Sequence, residues 1–380
     1  LLFTFRYLRL LISIYAYLTT HPKAISPNPK FAPGDVTVLI PTTFKSPPEL
    51  LSCLRRITSN RPSKIVVITS HTHVQSIRTL CTENILKATV LGVAILNKRT
   101  QLLRGLEFVQ TPIVVLADDD VLWPSQNYLS ILLTIFENEE VGAGGGRQRL
   151  KRKARPSFWD FLGTSYLERR VWNNISTNRI DGSISTLSGR TAAYRSCILK
   201  NPWFYNYFAN DFWKGRLLNS DDDKCLTRWV FRNGWDIAIQ THEDAVLETT
   251  LETGWGFIQQ CLRWARAHWR GNLIVMEGEK YWCERKYWFG LYAIYIAQWT
   301  QFAVVYDGVM LALVRVLWPE MTWGFVGWVL GTKLVKLVPH FWRYPKDLVL
   351  VPVSVAFSYL HGVINLYALL TLRTMNWSGK

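Results

Sequence analysis

The chain has 380 residues, a formal net charge of +16 at pH 7 and a hydrophobic fraction of 49% that includes 18 Trp, 16 Tyr and 18 Phe. Because much of this apolar content lies in the last hundred positions, the composition excludes an ordinary soluble enzyme. The six cysteines form no C-x-x-C pair, so the sequence indicates neither a zinc site nor a disulfide framework, which is typical of a reducing, cytosolic compartment.

The chain begins with an apolar segment, residues 1–18, that contains Arg6 and Arg9. Such a segment is compatible with a truncated membrane span or with an amphipathic helix on the membrane surface. We predict a membrane or interfacial helix over residues 1–20 and, because prolines punctuate the next stretch, a linker over 21–34. The first residue is not Met, so we expect a fragment or a processed form.

Residues 35–117 alternate short apolar strands with stretches whose apolar residues recur at helical spacing. This alternation predicts an α/β fold with a mainly parallel sheet and helices on both faces. We assign residues 35–275 to a cytosolic domain of this kind. The predicted strands are 36–40, 65–69, 90–96 and 113–116, and the predicted helices are 48–59, 73–87 and 99–109.

The fourth predicted strand ends in three consecutive carboxylates, Asp118, Asp119 and Asp120. Ligands of open α/β sheets bind beyond the carboxyl ends of the strands, and carboxylate oxygens suit Mg²⁺ or Mn²⁺ in partnership with a diphosphate. The alternative is an acidic turn or a helix cap without a ligand. The place at a strand end favours a metal and phosphate site, with Asp118 and Asp120 as candidate metal ligands.

A second acidic cluster, Asp221, Asp222 and Asp223, directly precedes a predicted helix. Carboxylates at a helix start are favoured by the helix dipole, so capping is a serious alternative. Three adjacent acids exceed what capping requires, and their mutual repulsion favours proton uptake by one of them. The cluster therefore indicates a general base.

A third group consists of Gln260, Arg263 and Trp264, whose spacings of three and four place them on one helix face. Amide, guanidinium and indole groups together suit a phosphate and the flat face of a sugar. The alternative is a surface helix near a membrane with an interfacial Trp.

Three apolar segments, 288–305, 308–330 and 348–372, approach the ~20 residues that a membrane span needs. Buried helices of a soluble protein are the alternative, but the abundant Trp and Tyr favour a membrane. We predict interfacial and transmembrane helices over residues 276–380. Basic residues clustered between Arg147 and Arg155 are typical of a cytosolic domain beside anionic lipid, and no nucleic-acid module accompanies them, so we expect no nucleic-acid partner.

Taken in order, the acid triplet, Asp222-Asp223 and Gln260-x-x-Arg263-Trp264, followed by apolar segments, resemble the motifs of membrane-integrated family 2 glycosyltransferases. This family includes hyaluronan, chitin and cellulose synthases and fungal polysaccharide-synthase relatives. Residues 188–195 resemble the S-G-x-x-x-x-Y-R segment of hyaluronan synthases, and residues 222–228 resemble their D-D-R-H-L-T-N run. The resemblance covers about residues 35–270.

The resemblance implies a Rossmann-like, A-type glycosyltransferase domain that faces the cytosol and inverts the anomeric centre of a nucleotide-activated sugar, with Mn²⁺ or Mg²⁺ as cofactor. It implies that Asp223 deprotonates the acceptor hydroxyl beside its acidic neighbour Asp222. It assigns donor binding to Pro41, Thr42, Lys98, Asp118, Asp119 and Arg263, and acceptor binding to Ser188, Gly189, Arg190, Gln260 and Trp264. Read from its ends, the triplet gives a D-x-D motif of Asp118 and Asp120, whereas counting back from Pro124 gives Asp119 the second position; both registers stay open.

The resemblance also implies a UDP-sugar donor, although family members usually carry an Asp at the end of the second strand, where this chain has Thr69, Ser70 and His71. Thr69 or Ser70 are the candidate hydrogen-bonding substitutes. Residues 377–380 resemble the W-G-T-R gating segment of hyaluronan and chitin synthases.

The predicted function is extension of a polysaccharide at the membrane, with possible translocation of the polymer. The alternatives are transfer to a lipid, because ceramide glucosyltransferase resembles the same motif set, and an inactive membrane scaffold. The expected partners are a nucleotide sugar, a carbohydrate or lipid acceptor and the bilayer. The expected location is the plasma membrane or the Golgi and endoplasmic reticulum, as an integral membrane protein with a cytosolic catalytic domain.

Overall fold

The computed structural model describes residues 1–279 and 281–374 and divides the chain into two compact units. Among the described residues, the helical unit comprises Leu1–Thr20, Leu150–Ser185, 251–279 and 281–374, and the sheet unit comprises His21–Arg149 and Thr186–Thr250. The domain boundaries predicted from the sequence stay a prediction. The segment 377–380, compared above with a gating motif, lies outside the described residues.

Seven strands of the sheet unit form one twisted sheet in the order β10-β5-β7-β4-β1-β2-β3. The strands of the chain are β1 Val36–Pro41, β2 Lys64–Ser70, β3 Thr89–Val93, β4 Ile113–Ala117, β5 Val141–Gly146, β6 Gln148–Leu150, β7 Thr191–Arg195, β8 Phe212–Trp213, β9 Arg216–Leu217, β10 Asp236–Gln240 and β11 Leu247–Thr249. Only β7 runs antiparallel to its neighbours β4 and β5 within this sheet, so the predicted mainly parallel sheet is confirmed.

The four predicted strands correspond to β1 to β4, which are apolar because parallel strands are covered on both faces. β1 and β4 are buried along their whole length, and together with β2 they form the centre of the hydrophobic core. The third strand ends at Val93 rather than at residue 96, since Ala94 to Leu96 are exposed and lead into the cap of the next helix.

Helices pack against both faces of this sheet. Those of the sheet unit are α2 Pro47–Ser59, α3 Val74–Glu83, α4 Lys98–Leu106, α5 Tyr128–Leu133, α7 Ser196–Leu199, α8 Pro202–Ala209 and α9 Asp222–Arg232. The start of α4 is fixed by Asn97, whose side chain accepts a hydrogen bond from the Arg99 main-chain N–H at 2.8 Å. This cap places Lys98 at the first position of α4, beside the carboxyl ends of β1 and β4.

The helical unit consists of helices. They are α1 Leu2–Leu18, α6 Phe158–Asp181, α10 Trp255–Ile274, α11 Tyr281–Glu284, α12 Trp288–Gly290, α13 Ala303–Leu317, α14 Thr322–Leu334, α15 Val338–Arg343 and α16 Val351–Leu370. Within the unit α1 packs on α6, and α10 packs on α16. Arg152 forms a two-bond ion pair with Asp347, at 2.8 and 3.1 Å, and Asp347 also contacts His340 at 2.8 Å.

The described part of the chain contains one helix, Pro345–Leu370, that is long and apolar enough to cross a membrane, with a mean hydropathy of 1.7. This helix overlaps the apolar segment 348–372, and its crossing of a membrane stays a prediction. The predicted span 288–305 is not a straight helix, because the chain bends by 83° between Trp288–Thr300 and Ala303–Leu317. The predicted span 308–330 is also interrupted, because α13 ends at Leu317, Trp318 leaves helical backbone with φ −147° and ψ 69°, and Pro319 cannot continue the helix.

Candidate active site

The two acidic clusters of the sheet unit meet at Lys98. Its Nζ lies 2.7 Å from Asp118 Oδ1, at the end of β4, and 3.2 Å from Asp222 Oδ2, at the start of α9. Burial lowers the pKa of Lys98, but the carboxylates of Asp118, Asp222 and Asp223 outweigh this effect and raise the pKa above its ordinary value. The ammonium group is therefore charged at neutral pH and holds the two clusters together.

Each carboxylate of the strand-end triplet has a different environment. Asp118 pairs with Lys98, and Asp119 accepts a hydrogen bond from the Thr42 hydroxyl. No hydrogen bond from the described part of the chain reaches the Asp120 carboxylate. Burial and the neighbouring carboxylates raise the pKa of Asp119 and raise that of Asp120 to about 6, although the Thr42 bond partly opposes this at Asp119 and Arg190 partly opposes it at Asp120.

The triplet thus concentrates negative charge that the surrounding side chains compensate incompletely. Among the described residues no three His, Cys, Asp or Glu side chains converge as a complete metal-binding group. Mg²⁺ and Mn²⁺ in nucleotide sites are nevertheless held by one or two carboxylates together with substrate phosphates. The triplet fits this type of site. Asp120 is the most available of its three carboxylates, because Asp118 pairs with Lys98 and Asp119 accepts a hydrogen bond from Thr42.

The second acidic cluster opens α9. Asp221 occupies the cap position with a φ of 66° yet forms no side-chain capping hydrogen bond, which argues against capping as its purpose. Asp223 accepts a hydrogen bond from the Lys224 main-chain N–H at 2.8 Å, and its carbonyl accepts one from the Thr227 hydroxyl at 2.7 Å. Because Thr227 in turn accepts a hydrogen bond from the Leu187 N–H at 2.9 Å, the first turn of α9 is tied to the segment before β7.

That segment, residues 188–190, lies directly against the acidic groups. A Cβ atom on Gly189 would stand 3.3 Å from Lys98 Nζ, 3.3 Å from Asp223 Cβ and 3.5 Å from Asp222 Oδ2. The Arg190 carbonyl accepts a hydrogen bond from the Asp118 N–H at 2.9 Å, and the Ser188 hydroxyl accepts one from the Arg190 N–H at 3.4 Å. The structure thus brings all three of these predicted residues to the acidic site.

Pro41 and Thr42 lie where predicted, at the carboxyl end of β1. The Thr42 N–H donates to the Ile68 carbonyl of β2 at 2.9 Å. The Gln101 side chain, from α4, donates to the Thr42 carbonyl at 3.0 Å and to the Ile68 carbonyl at 2.7 Å. Gln101 therefore links the carboxyl ends of β1 and β2 beside the site.

The end of β2, where the family resemblance predicts an acid, has a different chemistry. Thr69 is fully buried, so its side chain does not face the solvent. Ser70 caps the turn that follows, since its hydroxyl accepts a hydrogen bond from the Thr72 N–H at 3.3 Å. Beside this turn the rings of His73 and Phe44 lie 5.5 Å apart, and Phe44 has a φ of 58°. Of the two predicted substitutes, Ser70 is the accessible one.

The third predicted group lies on α10, in the helical unit. The side-chain oxygen of Gln260 accepts a hydrogen bond from the Glu252 N–H at 3.4 Å, and Arg263 is partly exposed. The indole of Trp264 stacks on the ring of Tyr166, with centroids 5.0 Å apart and planes at 29°. One face of this indole is therefore covered by an aromatic ring within its own unit.

Comparison with known proteins decides the family. Residues 33–267, more than half of the chain, match the family described as glycosyltransferase like family 2. The chain is 38% identical over 391 residues to a type 2 glycosyltransferase of Gibberella zeae, which covers 99% of this chain and 74% of that protein. It is 37% identical over 393 residues to a type 2 glycosyltransferase of Zymoseptoria tritici, which covers 100% of this chain and 82% of the relative.

The chain belongs to glycosyltransferase family 2. The enzyme class predicted from the ordered motifs is therefore confirmed. The fold of this glycosyltransferase is similar to that of a mannosyltransferase from Pyrobaculum calidifontis in complex with GDP-Man and Mn²⁺, with a TM-score of 0.58 and 16% identity. That likeness covers 96% of this chain and 98% of the other, and it confirms the Rossmann-like, A-type fold.

Two residues of this glycosyltransferase were missed by reasoning from the sequence. Arg99 and Gln101 follow Lys98 on α4, and both are buried and donate hydrogen bonds to main-chain carbonyls around the site. Their signal in the sequence is faint, because polar residues near a helix start are normally read as its exposed face. The roles predicted for Gln260, Arg263 and Trp264 stay predictions.

Proposed function

We propose that this glycosyltransferase moves a sugar from a nucleoside diphosphate sugar to a carbohydrate acceptor at a membrane, with inversion of the anomeric centre. The observation that carries this proposal is the ion pairing of Lys98 with both Asp118 and Asp222. One ammonium group joins the strand end that suits a diphosphate to the helix start that carries the candidate base. Donor and acceptor chemistry can therefore take place within one small region of the sheet unit.

The base in this proposal is Asp223. A sugar hydroxyl is a weak nucleophile until a carboxylate accepts its proton during attack. The hydroxyl oxygen forms a bond to C1 of the donor sugar, the bond from C1 to the diphosphate oxygen breaks, and the proton passes to Asp223. Because the oxygen enters opposite the leaving diphosphate, the configuration at C1 inverts. Asp222 holds the neighbouring position through its pair with Lys98.

Negative charge develops on the diphosphate as it leaves, and Lys98 is a cation of the sheet unit that lies beside the strand-end triplet. Asp120 and Asp118 would hold Mn²⁺ or Mg²⁺, which supplies further neutralisation of the diphosphate when bound. The support is the surplus of carboxylate charge at the triplet, together with the Mn²⁺ and GDP-Man named for the mannosyltransferase of similar fold. Asp119 already accepts a hydrogen bond from the Thr42 hydroxyl, which favours the D-x-D register in which Asp118 and Asp120 are the metal ligands.

The acceptor in this proposal lies along residues 188–190, whose backbone approaches Asp223 because residue 189 is glycine. A growing polysaccharide is proposed because this segment resembles that of hyaluronan synthases. We further propose a membrane location with a cytosolic sheet unit, which the apolar helix Pro345–Leu370 supports. Gln260 and Trp264 are proposed to contact the acceptor and Arg263 the diphosphate, and the donor nucleotide is proposed to be UDP, all by resemblance alone.

The test is to express the full chain in membranes and to incubate it with labelled UDP-glucose, UDP-N-acetylglucosamine and GDP-mannose in the presence of Mn²⁺. We expect one donor to be consumed and its label to appear in a large, water-soluble or insoluble polymer. Membranes with Asp223→Asn are the control and should not form the product. A lipid-soluble monoglycoside would identify a lipid acceptor instead, and absence of turnover with any donor would contradict an active enzyme.

A further inference from the structure

The first residues of α4 hold the loop that precedes the candidate base. Three consecutive residues, 97 to 99, each contact a different residue of the segment 219–222. These contacts run from Asn97 Nδ2 to Asn219 Oδ1 (3.1 Å), from Lys98 Nζ to Asp222 Oδ2 (3.2 Å) and from Arg99 Nη2 to the Ser220 carbonyl (2.9 Å). Residues 97–99 thus contact both the side chains and the backbone of this loop.

Arg99 makes the most extensive of these contacts. Its guanidinium is buried, donates to the Phe208 carbonyl at 2.7 Å, and pairs with Asp211 at 2.9 Å in addition to its bond to Ser220. It also lies over the Phe208 ring, 5.0 Å from the centroid. A guanidinium with several donors in a planar fork can bind these acceptors at the same time, whereas an ammonium group cannot reproduce that geometry.

Asp211 links Arg99 to the elements on both sides of the loop. Its other carboxylate oxygen pairs with Arg228 of α9 at 2.7 Å, and its main-chain carbonyl accepts a hydrogen bond from the Leu218 N–H at 2.8 Å. That bond closes the hairpin of β8 and β9, which leads directly into residues 219–222. The cluster of Arg99, Asp211 and Arg228 therefore joins α4, the hairpin and α9 around the loop.

A buried cluster of two cations and one anion is costly to desolvate, and apolar side chains of similar size often stabilise a fold at least as well. Stability alone is therefore a weak reason for this cluster. The loop that it holds also contains Asp221 in left-handed backbone, with a φ of 66°, a conformation that is less favourable for a residue with a side chain than for glycine.

We propose that Arg99 is a positioning residue, which fixes the backbone of the loop before α9 so that Asp223 faces the acceptor hydroxyl. The proposal rests on the proposed role of Asp223 as the base. Arg99 does not contact the reacting atoms; it acts through the Ser220 carbonyl and through Asp211. Lys98, the neighbouring residue, sets the carboxylate of Asp222 against the strand-end triplet, so consecutive residues of α4 orient the acidic loop from two sides.

The test compares Arg99→Lys with Arg195→Lys in the full chain. Arg195 is a control because its guanidinium, like that of Arg99, donates to main-chain carbonyls, in its case those of Phe136, Asn138 and Val141. It lies at the opposite end of β7, about 13 Å along the strand from Thr191 at ~3.3 Å per residue. Both variants lose guanidinium bonds in the same unit, but only Arg99→Lys releases the loop.

The measurements are the melting temperature, the affinity for UDP with Mn²⁺, and kcat for release of nucleoside diphosphate from the donor that the wild-type chain uses. We expect Arg99→Lys to lower kcat at least about tenfold, since a small misplacement of a catalytic group is that costly, and to leave UDP affinity within about threefold. Arg195→Lys should lower the melting temperature comparably without this loss in kcat. A smaller loss for Arg99→Lys, or an equal loss for both variants, would overturn the proposal.

If Arg99→Lys does not fold, Asn219→Ala decides. Asn219 is exposed, so this variant removes only the contact with Asn97 and leaves the buried cluster intact. A loss in kcat of about threefold or more, at unchanged UDP affinity, supports positioning by this stretch of α4, and an unchanged kcat contradicts it. Asp223→Asn, measured in parallel, separates the two proposals: if it turns over normally the proposed base is wrong, whereas if it is inactive and the loop variants are normal, only the positioning is wrong.

Discussion

Replacing Asp223 with Asn should separate chemistry from structure. Asp223 uses one carboxylate oxygen to accept the Lys224 N–H at 2.8 Å, and the amide oxygen of Asn can accept the same bond. A second contact of this residue, in which its carbonyl accepts a hydrogen bond from the Thr227 hydroxyl at 2.7 Å, belongs to the main chain and is unchanged. The amide group cannot take a proton, so the variant should fold and bind nucleotide yet fail to activate the acceptor.

The expected magnitude follows from this division. Loss of a general base lowers a rate by about 10²–10⁴-fold, which corresponds to roughly 3–5 kcal/mol in the activation free energy. Asp222→Asn should behave differently, because the Asp222 carboxylate pairs with Lys98 at 3.2 Å and both side chains are mostly buried. Loss of that charged contact should lower the free energy of unfolding by about 1–3 kcal/mol.

The assay is nucleoside diphosphate release by both variants in detergent, with thermal unfolding and Mn²⁺-dependent UDP binding measured on the same preparations. We expect Asp223→Asn to retain the wild-type melting temperature and UDP affinity while its turnover falls into that range. Asp222→Asn should melt earlier. Turnover at the wild-type rate in Asp223→Asn, or a larger loss of kcat in Asp222→Asn, would refute the assignment of the base.

Further predictions concern the metal, the sheet and α10. EDTA should stop turnover and Mn²⁺ restore it, and Asp120→Ala should weaken Mn²⁺-dependent UDP binding at least about tenfold, since a charged contact is worth about 1.5–3 kcal/mol. Gly146→Ala should cost about 2 kcal/mol or more of stability in thermal unfolding, because its Cβ would stand 2.0 Å from a carbonyl oxygen, whereas Gly145→Ala, with 3.2 Å available, should cost less. Trp264→Ala should impair acceptor use more than UDP binding, and Arg263→Ala should do the reverse; the opposite pattern in the two assays would exchange their roles.

The parallel half of the sheet was predictable because its strands are covered on both faces. β1, β2 and β4 appear in the sequence as short, continuous apolar runs, and such runs between stretches with helical periodicity are typical of buried parallel strands. β5 was missed, since Val141–Gly146 consists mostly of glycine and has no side-chain period. Its glycines permit close approach: a Cβ on Gly144 would lie 2.3 Å from the Ala238 carbonyl oxygen of the neighbouring strand.

The candidate site was predictable as separate groups but not as an arrangement. Adjacent carboxylates at a strand end and at a helix start stand out because like charges are rarely placed together without a purpose. Their union through Lys98 depends on contacts between residues that are far apart in the chain, which no local pattern reports. Arg99 was missed for a related reason, since its burial depends on acceptors from α8, the hairpin and the loop before α9.

The reversed direction of β7 explains how so many groups reach one place. β4 pairs with β1 in parallel, so the residues that follow the two strands, Asp118 and Thr42, lie at the same end of the strands. β7 pairs with β4 in the antiparallel sense, with Thr191 opposite Ala117, so the residues that precede β7 lie at this end. If β7 were parallel to β4, residues 196 onward would lie at this end and the segment 188–190 would lie at the opposite end of the strands. The contact of Gly189 with the acidic groups is therefore a consequence of strand direction. The Thr227 hydroxyl extends the same arrangement to α9, because it accepts a hydrogen bond from the Leu187 N–H and donates one to the Asp223 carbonyl.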